Sequence, residues 1–289
     1  MCDEFTAADE DAALARKGLS RREFAALGAV GALAACTTTK GADGGALTET
    51  NVAIPTSDGT ADALFVHPAK GRHPGIVMWP DIAGLRPAFM EMARRLAGSG
   101  YAVLLVNHYY RGMKAPITQA FSEYRTAEGQ AKLKPLIATL SPEHAATDAQ
   151  AFIGWLDKQG AVDTARGVGV QGYCQTGGYG VRSAAAVPAR VRQACSFHGA
   201  GLVGDTATAP SKLLPATRAE YLFAIARNDD AKAPTDKDAL RAAAAAAGKM
   251  AEIEVYNADH GWCVPDSPSY DRAEAERAWA RLLDHYARL

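Results

Sequence analysis

The chain has 289 residues, of which 48% are hydrophobic and 22% charged, so it can bury the core of one large α/β domain. Its 31 basic and 32 acidic residues nearly cancel, and no run of Lys and Arg offers a binding surface for nucleic acid. The five cysteines are scattered, odd in number and without CxxC spacing. These features argue against a disulfide scaffold and against a structural zinc site.

The first 35 residues have the pattern of an export signal. Arg21 and Arg22 precede an uncharged stretch of Ala, Gly, Leu and Val over 25–35, which is shorter than the roughly 20 residues of a transmembrane helix. The arginine pair resembles the twin-arginine motif, and the residues that end at Cys36 resemble a bacterial lipobox. We therefore predict a signal peptide over 1–35 and lipidation of Cys36. The alternative is a chance arginine pair before a buried helix.

This signal predicts where the mature protein resides. We expect export by the twin-arginine route and a lipid anchor that holds the protein at the membrane, facing the periplasm or the cell exterior. Residues 36–50, rich in Thr, Gly and Ala, are predicted to be a flexible tether, and residues 51–289 the folded domain. The leader, residues 1–35, is predicted to lie outside the fold, although its first residues are unusually acidic.

Beyond residue 50, apolar segments of strand length alternate with segments of helical periodicity. A mixed, polar excursion over 109–144 interrupts this alternation. Strands that alternate with helices form a parallel sheet covered on both faces, so we predict one α/β domain with a mostly parallel central sheet. The predicted strands are 51–55, 63–66, 74–79, 101–107, 167–171, 194–197, 221–226 and 251–256, and the predicted helices are 89–96, 151–156, 177–187, 236–247 and 270–289.

Cys174 lies where a predicted strand meets a predicted helix. On such a sharp turn a side chain projects above the sheet edge, and the helix N-terminus stabilises a thiolate. The backbone N–H of Gln175 would then face an oxyanion. Gly172 permits the tight turn, whereas Thr176 occupies the place of the usual second glycine. Cys174 is therefore the candidate nucleophile, and the alternative is a structural buried cysteine.

A histidine and two carboxylates follow the last two predicted strands. His260 comes after the strand 251–256, and Asp229 and Asp230 come after the strand 221–226. The order nucleophile, acid, histidine is that of the α/β-hydrolases. We assign the acid to Asp229 because of its distance from the strand end, with Asp230 as the alternative.

The sequence Gly-Tyr-Cys at 172–174, the aspartate after the penultimate strand and the His-Gly pair at His260 resemble the dienelactone hydrolase family. The resemblance extends from about residue 50 to the end. It implies an α/β-hydrolase fold, with helices on both faces of the sheet, and a cysteine nucleophile that opens lactone or ester bonds. No cofactor is expected.

The resemblance also implies roles outside the triad. The Ile82 N–H would complete the oxyanion hole, and Asp81 stands where family members carry a glutamate that contacts the cysteine. Arg111 would hold a substrate carboxylate. Val264 replaces the second arginine of that clamp, so half of it is missing.

The remaining polar residues near this edge have less defined roles. His198 ends a predicted strand and would either line the pocket or form a structural hydrogen bond, and Trp262 is expected to support the site. Cys195 is assigned to the core, and Cys263 to the border of the pocket. No HExxH or other metal-ligand spacing occurs, so we predict no metal.

The sequence thus predicts a thiol-dependent hydrolase with a Cys174–Asp229–His260 triad, acting as a monomer on a small-molecule ester or lactone. Two alternatives stay open. One is a noncatalytic ligand-binding lipoprotein on the same fold, favoured by the departures at Thr176 and Val264. The other is an acyltransferase with an acceptor other than water.

Overall fold

The computed structural model describes residues 4–18 and 45–289. The predicted arginine pair, the apolar stretch and Cys36 lie outside these residues. Among the helices described, none is long and apolar enough to cross a membrane.

A single eight-stranded sheet organises the domain. Its strands are β1 Leu47–Thr56, β2 Gly59–Pro68, β3 Gly75–Trp79, β4 Ala102–Val106, β5 Val168–Tyr173, β6 Val191–Phe197, β7 Glu220–Ala226 and β8 Ala251–Tyr256. Their order across the sheet is β1-β2-β4-β3-β5-β6-β7-β8. The β1–β2 and β2–β4 pairs are antiparallel, and all pairs from β4 to β8 are parallel. This is the predicted α/β-hydrolase fold.

Helices cover both faces of the sheet. They are α1 Glu4–Arg16, α2 Pro87–Gly98, α3 Phe121–Tyr124, α4 Ala127–Ile137, α5 Pro142–Leu156, α6 Tyr179–Ala186, α7 Pro210–Leu213, α8 Arg227–Lys232, α9 Asp236–Ala246 and α10 Arg272–Tyr286. One apolar core includes Phe152 of α5 and Leu240 of α9, and the core on the opposite face includes Phe89 of α2 and Leu282 of α10. Because both faces are covered, β3, β4 and β5 are buried along their whole length.

The structure differs from the sequence prediction mainly at the N-terminus. Strand β1 begins at Leu47, inside the predicted tether, because an edge strand with one exposed face needs few apolar residues. Helix α1 packs on the domain, although we predicted the leader to lie outside the fold; its acidic residues find cationic partners there. The polar excursion contains α3, α4 and the start of α5, and the short helices α7 and α8 were not predicted.

Candidate active site

Cys174 occupies a strained turn at the carboxyl end of β5. Its backbone has φ 55°, in the left-handed region, and a one-turn 3₁₀ helix starts at the same residue. A Cβ atom added to Gly172 would lie 2.1 Å from the carbonyl oxygen of Thr176, so only glycine fits there. The sulfur is thereby presented at the sheet edge, as expected of a nucleophile on a strand-to-helix turn.

Thr176 has a structural reason to replace the usual glycine. It is fully buried, and its hydroxyl accepts from the Tyr173 N–H at 3.0 Å and donates to the Pro80 carbonyl at 2.8 Å. The close approach that a glycine allows occurs one residue later, where a Cβ on Gly177 would lie 2.3 Å from the Gly199 Cα. The Thr176 hydroxyl therefore links the turn of Cys174 to the loop that follows β3 through hydrogen bonds.

The loops after β7 and β8 bring Asp229 and His260 together. The Asp229 Oδ2 lies 2.7 Å from the His260 Nδ1, and the backbone N–H of His260 donates to the Asn228 side chain at 2.8 Å. Asp230 pairs instead with Lys237 at 2.7 Å. The geometry thus favours Asp229 over Asp230 as the partner of the histidine.

Cys174, His198 and His260 meet at the sheet edge. The sulfur and one nitrogen of each ring lie within 4.8 Å of one another, and all three residues are buried. Burial lowers the pKa of His260, but the Cys174 thiolate and the Asp229 carboxylate outweigh it and hold that pKa well above its usual value. A thiolate–imidazolium pair oriented by a carboxylate is the activated form of a cysteine nucleophile.

His198 is neutral in this environment. It ends β6 with φ 40°, and within the described residues neither ring nitrogen has a hydrogen-bond partner. Burial, aided by the neighbouring His260, holds its pKa well below the usual value. Its ring centroid lies 4.6 Å from that of His260 and 5.3 Å from that of Trp262. His198 therefore lines the site, and no structural hydrogen bond of its ring is observed.

The three side chains Cys174, His198 and His260 are also the set, among the described residues, whose ligand atoms are close enough to hold a metal ion. The predicted absence of a metal stays a prediction. Trp262 lies behind this set, fully buried and stacked on Tyr256 at 5.1 Å between centroids. Its ring also contacts the His198 ring edge to face, and its supporting role in the site stays a prediction.

The loop after β3 carries Asp81 and Ile82. The Ile82 side chain packs in one apolar cluster with Cys174, and its carbonyl accepts from the Tyr109 hydroxyl at 2.9 Å. Within the described residues, the Ile82 N–H has no hydrogen-bond acceptor, so it is free to serve an oxyanion. Asp81 lines the same cavity as Cys174, but its carboxylate is held by Arg86 at 2.6 and 3.0 Å and by the Ala83 N–H at 2.9 Å.

Arg86 is a site residue that sequence reasoning missed. It is fully buried and bridges Asp81 to Asp266, whose Oδ2 lies 2.8 Å from the Arg86 Nε. Asp266 in turn accepts from the Phe121 N–H at 2.9 Å. Arg86 directly precedes helix α2. Its network therefore joins the start of that helix to the loops that carry Asp81 and Asp266 and to the start of α3. Its position directly before Pro87 and an apolar helix was the one signal available in the sequence.

Arg111 is not part of the cavity that contains Cys174. Its guanidinium is held by Asp148 at 2.8 Å and by Asp58 at 2.6 Å. Two carboxylates thus already neutralise this guanidinium, and its role toward a substrate carboxylate stays a prediction. Val264, at the other clamp position, is fully buried in the core.

The other two described cysteines have separate surroundings. Cys195 is core, as predicted, and burial raises the pKa of its thiol. Burial also raises the pKa of the Cys263 thiol. Cys263 lines a different cavity, between α2 and α10, and not the one that contains Cys174.

The second feature that sequence reasoning missed is Glu10 of α1. Its side chain is 5% exposed, and it forms an ion pair with Arg125. It lines a small cavity at the sheet edge that also contains Cys174 and His260. The lining residues are Glu10, Asp81, Phe121, Cys174, His198, His260, Gly261 and Ser267. The acidic character of the leader was the only signal for this contact.

Two relatives of assigned type match most of the chain in sequence. A protein of Methylorubrum extorquens provisionally named carboxymethylenebutenolidase is 28% identical over 259 residues, covering 87% of this chain and 85% of its own. One of Salmonella typhi with the same provisional name is 25% identical over 250 residues, covering 84% and 88%.

Solved structures show the same fold. A protein of Klebsiella pneumoniae, described provisionally as a dienelactone hydrolase, superposes with a TM-score of 0.71 at 22% identity, covering 84% of this chain and 99% of its own. A dienelactone hydrolase-like promiscuous phosphotriesterase from metagenomic libraries superposes with a TM-score of 0.68 at 21% identity, covering 84% and 98%.

The sequence profile of the dienelactone hydrolase family matches residues 61–289, well over half of the chain. With that match and with a cysteine at the strand-to-helix turn, the chain belongs to the dienelactone hydrolase family.

Proposed function

We propose that the protein hydrolyses ester or lactone bonds of a small molecule through a Cys174–Asp229–His260 triad. The observation that carries this proposal is the 2.7 Å contact between the Asp229 carboxylate and the His260 Nδ1, together with a His260 ring nitrogen within 4.8 Å of the Cys174 sulfur. Membership of the family supports the type of reaction. The hydrolase is preferred over a noncatalytic binding protein because Thr176, one of the two departures, has a structural role in this turn.

In the first half of the reaction the Cys174 thiolate attacks the carbonyl carbon of the substrate. The developing oxyanion accepts hydrogen bonds from the backbone N–H groups of Ile82 and Gln175. When the C–O bond breaks, the His260 imidazolium gives its proton to the leaving oxygen. The product of this step is a thioester on Cys174, with the alcohol released or, for a lactone, retained on the same molecule.

In the second half His260, now neutral, accepts a proton from water, and the resulting hydroxide attacks the thioester. The C–S bond breaks, the sulfur leaves as the thiolate beside the imidazolium, and the acid is released. Asp229 keeps the Nδ1 protonated throughout, so the Nε2 is the nitrogen that exchanges protons. An acyltransferase would differ only in the nucleophile that replaces water.

We further propose that the chain is exported with a signal over residues 1–35, anchored through a lipid on Cys36, and active as a monomer. The order of arginine pair, apolar stretch and cysteine supports this localisation. Processing that is unchanged in Cys36→Ser would contradict the lipoprotein part.

The function is tested by measuring hydrolysis of activated aryl esters and of a panel of lactones. The assay uses the released chain, from which the predicted leader, residues 1–35, has been cleaved and separated. Cys174→Ala should reduce turnover by at least about 10³-fold because it removes the nucleophile. Cys195→Ala, at a buried thiol outside the cavity, is the matched control and should keep activity within a few-fold. Full activity of Cys174→Ala would contradict the proposal, and so would the lack of any turnover by the released wild-type chain.

A further inference from the structure

One face of helix α1 is directed at the domain. Glu10, Ala13, Leu14 and Lys17 follow the spacing i, i+3, i+4, i+7, which places them on one side of a helix. Glu10, Ala13 and Leu14 are 5%, 4% and 2% exposed, and Lys17 donates to the Pro268 carbonyl at 2.8 Å. The helix therefore has a buried stripe, although it is polar in overall composition.

The charges of α1 match those of the surface beneath it. Its acidic segment meets cations: Arg125 pairs with Glu10 and Asp11, and Lys232 lies 2.8 Å from Asp9. At its other end the sign reverses, and Arg16 lies 2.5 Å from Asp259. Opposite charges at both ends fix one orientation of the helix on the domain.

These contacts fall on the neighbours of the catalytic groups. Asp9 accepts from the Asn228 side chain at 2.7 Å, and Asn228 in turn holds the backbone N–H of His260. Asp259, the partner of Arg16, directly precedes His260. Glu10 itself lines the cavity that contains the Cys174 sulfur.

We propose that helix α1 is an intramolecular inhibitor, and that the surface over the catalytic edge is its binding groove. The Glu10 carboxylate occupies the space next to Cys174 where a substrate acyl group would have to enter. Cys174 is 3% exposed and His260 7%, so neither is accessible to a substrate while the helix is bound. This inference rests on the proposed hydrolase function, because it assigns to the helix the control of that same site.

The acidic residues of the leader would then serve to hold α1 on the domain. Cleavage before Cys36, which the sequence predicts, would detach α1 from the domain and open the groove. Before this cleavage the chain would be closed, and helix α1 would shield the Cys174 thiol from reagents and oxidants. Residues 45–289 contain the whole sheet and both cores, so the domain does not depend on α1 for its own packing.

The test compares the same full-length protein before and after cleavage at a protease site inserted between residues 38 and 43. While the chain is intact, its covalent connection to the domain keeps α1 at an effective concentration of about millimolar. After the cut, dilution of the protein to submicromolar concentration releases the helix. We expect the rate of Cys174 labelling by iodoacetamide, measured by mass spectrometry of its peptide, to rise about tenfold or more. Ester hydrolysis should rise with it, and a synthetic peptide of residues 4–18 should reverse both.

A matched pair of substitutions tests the helix without a cut. Leu14→Asp places a charge on the buried stripe and should mimic cleavage, whereas Ala15→Asp places the same charge on an exposed neighbour and should leave the intact chain closed. Equal labelling rates in the intact, cut and Leu14→Asp proteins would overturn the inhibitor. A loss of hydrolysis on release, with faster labelling, would also overturn it, because α1 would then be a required part of the site.

The two readouts separate this inference from the proposed function. If Cys174 becomes accessible on release but neither the intact nor the released chain hydrolyses any ester or lactone, the groove and its occupant stand and the hydrolase proposal fails. If the released chain hydrolyses esters no faster than the intact chain, the hydrolase stands and the inhibitor fails.

Discussion

The catalytic edge and helix α1 meet at one cavity but are held there by different forces. Cys174 and Asp229 follow β5 and β7, which are buried or largely buried, and His260 follows β8, the half-buried edge strand that is paired with β7. Helix α1 has a buried stripe of two apolar side chains, and most of its named contacts are ion pairs. The sheet-edge residues Cys174, Asp229 and His260 with their strands, here called the scaffold, are therefore fixed by the fold. Helix α1, here called the cover, is held by contacts that can be broken without unfolding the domain.

Substitution of Asp229, the proposed triad acid, should produce the largest loss of activity. Asp229→Asn leaves the His260 Nδ1 without its carboxylate, so that, of the Cys174 thiolate and the Asp229 carboxylate that raise the pKa of His260, only the thiolate remains, and we expect kcat/KM to fall by about 10² to 10⁴-fold. The measurement is aryl ester hydrolysis by the released chain.

Asp230→Asn is the matched control, because Asp230 pairs with Lys237 and not with the histidine. Its kcat/KM should stay within about threefold of the wild type. A larger loss in Asp230→Asn than in Asp229→Asn would reverse the assignment of the acid.

The hydrogen bonds that hold the turn of Cys174 should contribute to the free energy of unfolding. Thr176→Val removes the hydroxyl that joins the Tyr173 N–H to the Pro80 carbonyl, and we expect the free energy of unfolding to fall by about 2 kcal/mol. Urea denaturation of the released chain measures it. Thr147→Val, on an exposed position of α5, should change stability by less than about 0.5 kcal/mol; equal losses in the two variants would mean that the buried hydroxyl is not needed.

The binding of helix α1 to the domain should depend on pH through Glu10. Burial raises the pKa of Glu10 from 4.5 to about 7, against the opposing effect of Arg125. The other ionisable groups around the same cavity are Asp81, Cys174, His198 and His260. Because the bound helix holds its proton more tightly than the free helix, this contribution to binding is complete below about pH 4.5 and is lost as the pH rises through about 7.

We therefore expect α1 to bind about tenfold more weakly at pH 8 than at pH 6. The quantity to measure is the ratio of Cys174 labelling rates in cut and intact protein, since the titration of the thiol itself enters both rates. That ratio should be larger at pH 6. A ratio that is larger at pH 8, or that keeps its pH dependence in Glu10→Gln, would contradict the role of this carboxylate.

The smallest expected effect is that of salt. The pairs Arg16–Asp259 and Lys232–Asp9 are partly exposed, so an increase from 50 to 500 mM NaCl should weaken them and speed the labelling of Cys174 in the intact chain by about two- to fivefold. The cut protein, in which only the scaffold remains, should show no such change. If salt changed the labelling rate of the cut protein as much as that of the intact protein, the effect would belong to the scaffold and not to helix α1.

The sequence alone determined the fold and the family of the protein. Apolar runs of strand length and helical periodicity are local patterns, and they predicted all eight strands to within a few residues. Cys174 and His260 could be found because each follows a strand and the carboxyl ends of parallel strands share one edge. Asp229 could be preferred, but only its 2.7 Å contact with His260 distinguishes it from Asp230.

Only the tertiary structure decided which distant residues meet. Arg86 bridges Asp81 and Asp266, and Arg111 turns to Asp58 and Asp148, because the loops that carry these carboxylates converge in space and not along the chain. The contact of Glu10 with the cavity is the extreme case, since its ion pair with Arg125 joins residues 115 apart in sequence. Such pairings depend on long-range complementarity of charge and shape, which leaves no periodic signal in the sequence; the acidic leader is therefore explained only by the surface that it covers.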